Sequence, residues 1–105
     1  KGYHFLNFSA AKIKKSDHVI SLEIRGEEMN SEEMADMIEA AGLKGISDIC
    51  FIIGGSFGLS KKVSERADLH LSFSKMTFPH QMMRVILLEQ IYRSFKIIRK
   101  ERYHK

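Results

Sequence analysis

At 105 residues with 44% hydrophobic content, the chain can bury one core and is too short for two ordinary domains, so a single domain over 1–105 is expected. Cys50 stands alone, which excludes a disulfide framework and a zinc-ligand spacing; no metal is expected. No apolar stretch reaches the roughly 20 residues of a membrane helix and no basic-then-apolar leader opens the sequence, so a soluble, cytoplasmic protein without a membrane partner is the expectation, with a net charge of +4.

In chain order, His18 to Ile24 (HVISLEI) is a short β-branched run and predicts a strand. Asn30 with Glu33 predicts a capped helix start, Met34, Met37, Ile38 and Ala41 form one face, and Gly42 stands where a C-terminal cap belongs. The acids Glu27, Glu28, Glu32, Glu33, Asp36 and Glu39 stand here without a base, a face that repels polyanions. Asp48 to Ile53 (DICFII) predicts the second strand, and Ser60 to Arg66 a short helix with Leu59 and Val63 facing inward. Leu69, Leu71 and Phe73 alternate with His70, Ser72 and Ser74, the period of a third strand. His4, His18 and His70 lack a partner pattern and read as surface or strand residues.

Pro79, the only proline, suits the first turn of a last helix running to Ile98. Its apolar residues cover more than one stripe, so one face packs on the sheet and the other requires a partner; a homodimer through this helix is expected, with Leu88, Ile91 and Phe95 among the residues to be covered. From Arg84 to Lys105 seven Lys or Arg face only Glu89 and Glu101, so nucleic acid is admitted on the C-terminal side alone. Arg84 and Arg93, two and a half turns apart, do not share a narrow stripe; one can face RNA while the other pairs with Glu89. Strands alternating with helices imply an α/β fold with a parallel sheet flanked by helices.

Two stretches carry chemistry. FIIGGSFGLS, from Phe51 to Ser60, ends a strand in glycines and opens a helix, so backbone N–H groups can approach a ligand; it has neither the GxGxxG of a dinucleotide site nor the GK[ST] of a P-loop. SFSKMTFPHQMMR, from Ser72 to Arg84, follows the third strand and emerges on the same edge of a parallel sheet, so the two loops can form one pocket.

IIGGSFGLS, then LSFSKMTFPHQMMRVILLEQIYRSFKI, then the terminal YHK together resemble the RlmH family of bacterial ribosomal RNA methyltransferases, members of the SPOUT or α/β-knot superfamily, from about Ala11 to Lys105. The resemblance implies a SPOUT-like sheet with a C-terminal trefoil knot, a homodimer, and S-adenosylmethionine-dependent methylation of N3 of a pseudouridine in a stem-loop of large-subunit ribosomal RNA. It places the cofactor against Leu22, Gly55, Ser74, Lys75, Met76, Thr77, Phe78 and Pro79. It places the terminal Tyr103, His104 and Lys105 near the partner subunit's cofactor pocket. Loss of the N3 proton calls for a base and positive charge, so His104, Tyr103 and Lys105 are the expected catalytic residues, His104 with the charges of Arg102 and Lys105 serving the proton and Tyr103 stacking on or positioning the base. Arg84, Arg93 and Arg102 are the residues expected toward the RNA. The family's opening strand–helix–strand elements have no counterpart in KGYHFLNFSA, and its usual Gly and Pro near the C-terminus are Lys100 and Arg102 here. A non-enzymatic RNA- or nucleotide-binding domain, or an inactive fragment of the enzyme, is the alternative.

Overall fold

Asp48–Ile53 is apolar at five consecutive positions, which suits a strand covered on both faces. In the computed structural model, which describes residues 2–6, 15–46, 48–53 and 61–103, this segment is β3 of a four-stranded sheet. The strands β1 (Gly2–Leu6), β2 (His18–Glu28), β3 (Asp48–Ile53) and β4 (Leu69–Ser72) lie in the order β1-β3-β2-β4, with every neighbouring pair parallel. The helices α1 (Ser31–Leu43), α2 (Lys61–Arg66) and α3 (His80–Ile98) follow β2, β3 and β4 in turn.

Helices cover both faces of this sheet. Ile20, Leu22, Ile49, Phe51, Ile53 and Leu71 meet Met34, Ile38 and Ala41 of α1 and Leu87 and Ile91 of α3, while Val19, Cys50 and Ile52 meet Val63 of α2 on the other side. Burial, reinforced by the nearby charge of Asp17, pushes the Cys50 thiol up to about 11, so it stays neutral and serves as a packing residue.

The expected start of α1 is present in full. Asn30 Oδ1 accepts from the Glu33 N–H at 2.7 Å, and Glu33 Oε1 accepts from the Asn30 N–H at 2.8 Å. Its end differs from the expectation: the helix runs through Gly42 to Leu43, and the left-handed residue is Gly45, with φ of 80°. The Gly45 N–H donates to Gly42 O and the Ile46 N–H to Ala41 O, each at 3.1 Å, as Ile46 tucks against the core. Two glycines three apart compete for this role, and burial of Ile46 selects the second.

The same turn closes α3, but with Lys100 in the left-handed position at φ of 58°. The Lys100 N–H donates to Ile97 O at 3.0 Å and the Glu101 N–H to Lys96 O at 2.8 Å, with Lys96 Nζ donating to Glu101 Oε1 at 2.5 Å. A side chain costs about 1–2 kcal/mol in this conformation, partly offset by the greater freedom that glycine has in the unfolded chain. Lys100→Gly is therefore expected to raise stability by about 0.5–1 kcal/mol, read as a higher urea midpoint at unchanged slope.

Three further elements depart from the sequence reading. Gly2–Leu6, where no element is expected, forms a strand paired with β3 from Gly2↔Asp48 to Leu6↔Ile52. The third predicted strand ends at Ser72, short of Ser74. β2 continues past Ile24 to Glu28 after a detour: Leu22 and Glu27 are both in register with Leu71, so residues 23–26 bow out between them. Gly26 closes the detour so near β4 that a Cβ there would stand 2.7 Å from the carbonyl carbon and oxygen of His70. Leu59 and Ser60 lie outside the described residues; Val63 is buried as expected.

Of the three α3 residues expected to need a partner, Ile91 is buried in the chain's own core and Phe95 packs against it. The uncovered stripe is instead Met82, Val85, Leu88 and Tyr92, exposed at 50%, 65%, 47% and 51%, spaced three or four apart along one side.

Candidate active site

Register alone assembles one edge of the sheet. Leu22 pairs with Ile53 on one side and Leu71 on the other, so β2, β3 and β4 all reach their carboxyl ends at the same level. The chain then leaves β3 toward Gly55, which lies outside the described residues, and leaves β4 into Phe73–Pro79. The end of β4, from which Ser74–Pro79 departs, is thus level with Leu22.

Ser72 organises this edge. Its buried hydroxyl lies 3.0 Å from Ile24 O in the detour and 3.0 Å from Ser74 O, tying the two chain segments to each other. Ser74 Oγ then accepts from the Met76 N–H at 3.0 Å, turning the chain so that Lys75, Met76 and Thr77 stand exposed with Phe78 half-buried. No hydrogen bond to another described residue engages the N–H groups of Lys75, Thr77 or Phe78.

On the sheet face opposite Leu22 sits a polar cluster that the sequence reading does not anticipate. Ser21 Oγ donates to Glu23 Oε2 at 2.5 Å and lies 2.9 Å from His70 Nδ1, which also meets Glu23. Ser64 Oγ donates to Glu23 from α2, at 3.0 Å from Oε2. Only the Ser21-x-Glu23 spacing, two residues on one strand face, hints at it. His70 is a strand residue as expected, but it has a partner, and so has His18, whose Nδ1 lies 3.8 Å from Asp68. Burial pushes the Glu23 carboxyl up, yet hydrogen bonds from Ser21, His70 and Ser64 outweigh this and hold it below its ordinary range. A value depressed by folding stabilises the protein above the unfolded carboxylate range, and that contribution is lost as pH falls through the folded value. Acid titration of stability should therefore be flatter in Glu23→Gln than in the wild type below about pH 4, with the variant already less stable at neutral pH.

The second group of expected residues lies along α3. Arg93 forms the pair anticipated with Glu89, Nε to Oε1 at 3.1 Å and Nη2 to Oε2 at 3.0 Å. Tyr103 folds back onto the same helix: its hydroxyl donates to Glu89 Oε2 at 2.9 Å, and its ring stands edge-on to Tyr92 with centroids 5.0 Å apart and under the Arg93 guanidinium at 4.9 Å. Arg84 and Arg102 are exposed, while His104 and Lys105 lie outside the described residues. The rise of the helix separates Pro79 from Glu89 and Arg93 by about 15–20 Å. One chain therefore does not fold its own Tyr103 over its own Ser74–Pro79 segment. Among the described residues no group of three His, Cys, Asp or Glu side chains could hold a metal ion, and no helix is long and apolar enough to cross a membrane.

A parallel sheet covered on both faces, with the carboxyl ends of three neighbouring strands at one edge, defines an α/β domain of the class in which nucleotide-like cofactors bind at that edge. The family model described as "Predicted SPOUT methyltransferase" matches residues 5–104, and the chain belongs to that family. It is 60% identical over 95 residues to the protein named ribosomal RNA large subunit methyltransferase H in Finegoldia magna, and 60% over 95 residues to the one so named in Carboxydothermus hydrogenoformans. Identity is 55% over 95 residues to ribosomal RNA large subunit methyltransferase H 1 of Clostridium perfringens; each match covers 90% of this chain and 60% of the relative. The chain spans about three-fifths of the length of these curated relatives.

Proposed function

We propose that this chain is the catalytic domain of an S-adenosylmethionine-dependent RNA methyltransferase acting in the cytoplasm on N3 of a pseudouridine in a stem-loop of large-subunit ribosomal RNA. The observation that supports this reading is the register that sets the carboxyl ends of β2, β3 and β4 at one sheet edge, in a chain belonging to the SPOUT methyltransferases. The relatives' names supply the RNA. The trefoil knot is proposed on the family membership alone.

The residues at this edge fit the cofactor. An adenine ring requires backbone donors and acceptors at its edge and apolar surface at its faces; the N–H groups of Lys75, Thr77 and Phe78 and the half-buried side chain of Phe78 are of that kind, while the Leu22 side chain is packed in the core and offers no face of its own. Leu22, Gly55, Ser74, Lys75, Met76, Thr77, Phe78 and Pro79 would hold it, with Gly55 admitting close approach. S-adenosylmethionine, when bound, supplies an electrophilic methyl group. The imide N3–H of the base must lose its proton before attack, and His104 takes it, while the charges of Arg102 and Lys105 stabilise the anion. Tyr103 stands beside them in the catalytic tail. Arg84 and Arg102 meet RNA phosphates, and Arg93, its charge balanced by Glu89, joins them as a hydrogen-bond donor.

The chain works as a homodimer in this proposal, with the stripe Met82, Val85, Leu88 and Tyr92 as its contact. Covering a side chain of that size contributes about 1.5–3 kcal/mol, and a partner's tail can reach an edge that the chain's own Tyr103 does not. Light scattering should give a dimer for the wild type and a monomer for Leu88→Glu; a wild-type monomer at micromolar concentration counts against the assembly.

Calorimetry with S-adenosylmethionine and its demethylated product tests the function. Binding of both is expected, and its loss in Gly55→Val through Cβ collision. Titrations without heat or thermal shift for either compound would remove the methyltransferase reading and leave a non-enzymatic binding domain or an inactive fragment.

A further inference from the structure

Tyr103 is the last residue before His104, and its side chain is committed on every side to α3. Its hydroxyl reaches Glu89, fourteen residues earlier, at 2.9 Å. Its ring is flanked by Tyr92 and by the Arg93 guanidinium, which itself grips both oxygens of Glu89. A ring held in this way is not free to stack on an RNA base without giving up these contacts.

Two other contacts restrict the path to Tyr103. The turn at Lys100 returns the chain toward the helix through the Glu101 N–H bond to Lys96 O, and Lys96 Nζ, which binds Glu101, also lies 5.3 Å from the centre of the Tyr92 ring. Residues 99–103 are therefore pinned to α3 at both ends, by backbone at the turn and by side chains at Tyr103. A carboxylate that accepts from a guanidinium and a phenol together makes charge-assisted bonds of defined direction. It also keeps the phenol protonated: the bond to Glu89, ahead of burial, raises Tyr103 above its ordinary range against the opposing charge of Arg93.

We propose that Glu89 is a positioning residue for methyl transfer, acting through Tyr103 to fix the point on α3 from which His104 departs, so that Tyr103 serves the reaction as an anchor. This rests on the catalytic role proposed above for His104. Glu89 touches neither RNA nor cofactor in this account. What it contributes is the placement of the imidazole, and a misplacement of about 1 Å can cost on the order of a hundredfold in rate.

The test compares Glu89→Gln, Tyr103→Phe, the double variant and His104→Ala in the full-length protein, with ribosomal particles as substrate. Glu89→Gln and Tyr103→Phe are each expected to lower kcat about tenfold, with KM for the particles and the dissociation constant for S-adenosylmethionine within twofold of wild type. Glu89→Gln also removes the charge that pairs with Arg93, so the double variant should be no worse than Glu89→Gln alone, Tyr103→Phe adding nothing once the carboxylate is gone. Absorbance titration of the phenols should show one tyrosine ionising at lower pH in Glu89→Gln than in the wild type. Additive losses in the double variant, a raised KM at unchanged kcat, or an unmoved phenol titration each overturn the proposal. Full activity of Glu89→Gln beside an inactive His104→Ala overturns the anchor alone; an active His104→Ala overturns the catalytic tail and the anchor with it.

Discussion

Deleting Tyr103 to Lys105 is expected to lower methyl transfer to ribosomal particles by at least roughly a hundredfold, the usual scale for a lost acid–base group, while folding, dimerisation and cofactor affinity stay nearly intact. The reason lies in where Tyr103 packs. It lies on the outer side of α3 against Tyr92, Arg93 and Glu89, and none of these belongs to either core cluster. Its loss leaves the Arg93–Glu89 pair in place, and the edge formed by Leu22 and Ser74–Pro79 lies about 15–20 Å away along the helix. What disappears is the imidazole proposed to receive the N3 proton and the anchor proposed to aim it. The comparison requires the full-length protein, with single-turnover transfer and cofactor calorimetry measured side by side. Loss of cofactor binding together with activity would make the tail structural, and survival of activity would contradict the role of His104.

Gly26→Val is the second change with a large expected effect, and it acts through space rather than backbone conformation. The nearest atoms to a Cβ at Gly26 are main-chain atoms, His70 C and O at 2.7 Å and Leu71 C at 2.9 Å, which cannot rotate aside. β2 and β4 must therefore separate where Glu27 and Glu28 regain register with Leu71 and Ser72. Overpacking of this kind costs up to about 3 kcal/mol, a large fraction of the roughly 5–15 kcal/mol that holds a domain folded. The damage should extend to the candidate site, because the single Ser72 hydroxyl proton is shared between Ile24 O in the detour and Ser74 O in the loop, each 3.0 Å from Oγ. Gly45→Ala is the control. At φ of 80° with no atom within 4 Å of its Cβ, it should pay only the left-handed cost, about 1–2 kcal/mol, and leave cofactor affinity unchanged. Urea unfolding with cofactor calorimetry separates the two, and equal affinities in both variants would contradict the coupling through Ser72.

Local chemistry made much of this protein legible before any coordinates. Asp48–Ile53 is too short and too apolar to be anything but a covered strand, and Asn30 with Glu33 completes its own hydrogen bonds within four residues, so both appear as expected. Arg93 finds Glu89 because residues four apart share a helix face. The family resemblance, resting on the paired motifs around Gly55 and Ser74–Pro79, is upheld by the match across residues 5–104.

Long-range partnership set the rest, because spacing along a chain carries no record of which strands become neighbours. Gly42 and Gly45 are equally permissive, and Ile46 reaching the core decided between them. Gly2–Leu6 becomes a strand because β3 offers it an edge, and residues 23–26 bow outward because Gly26 must pass against His70. Glu23 and His70 stand 47 residues apart and meet only once β2 and β4 pair. Tyr103 meets Glu89 because the turn at Lys100 reverses the chain, a conformation that the identity of Lys100 opposes and the bonds to Ile97 and Lys96 enforce.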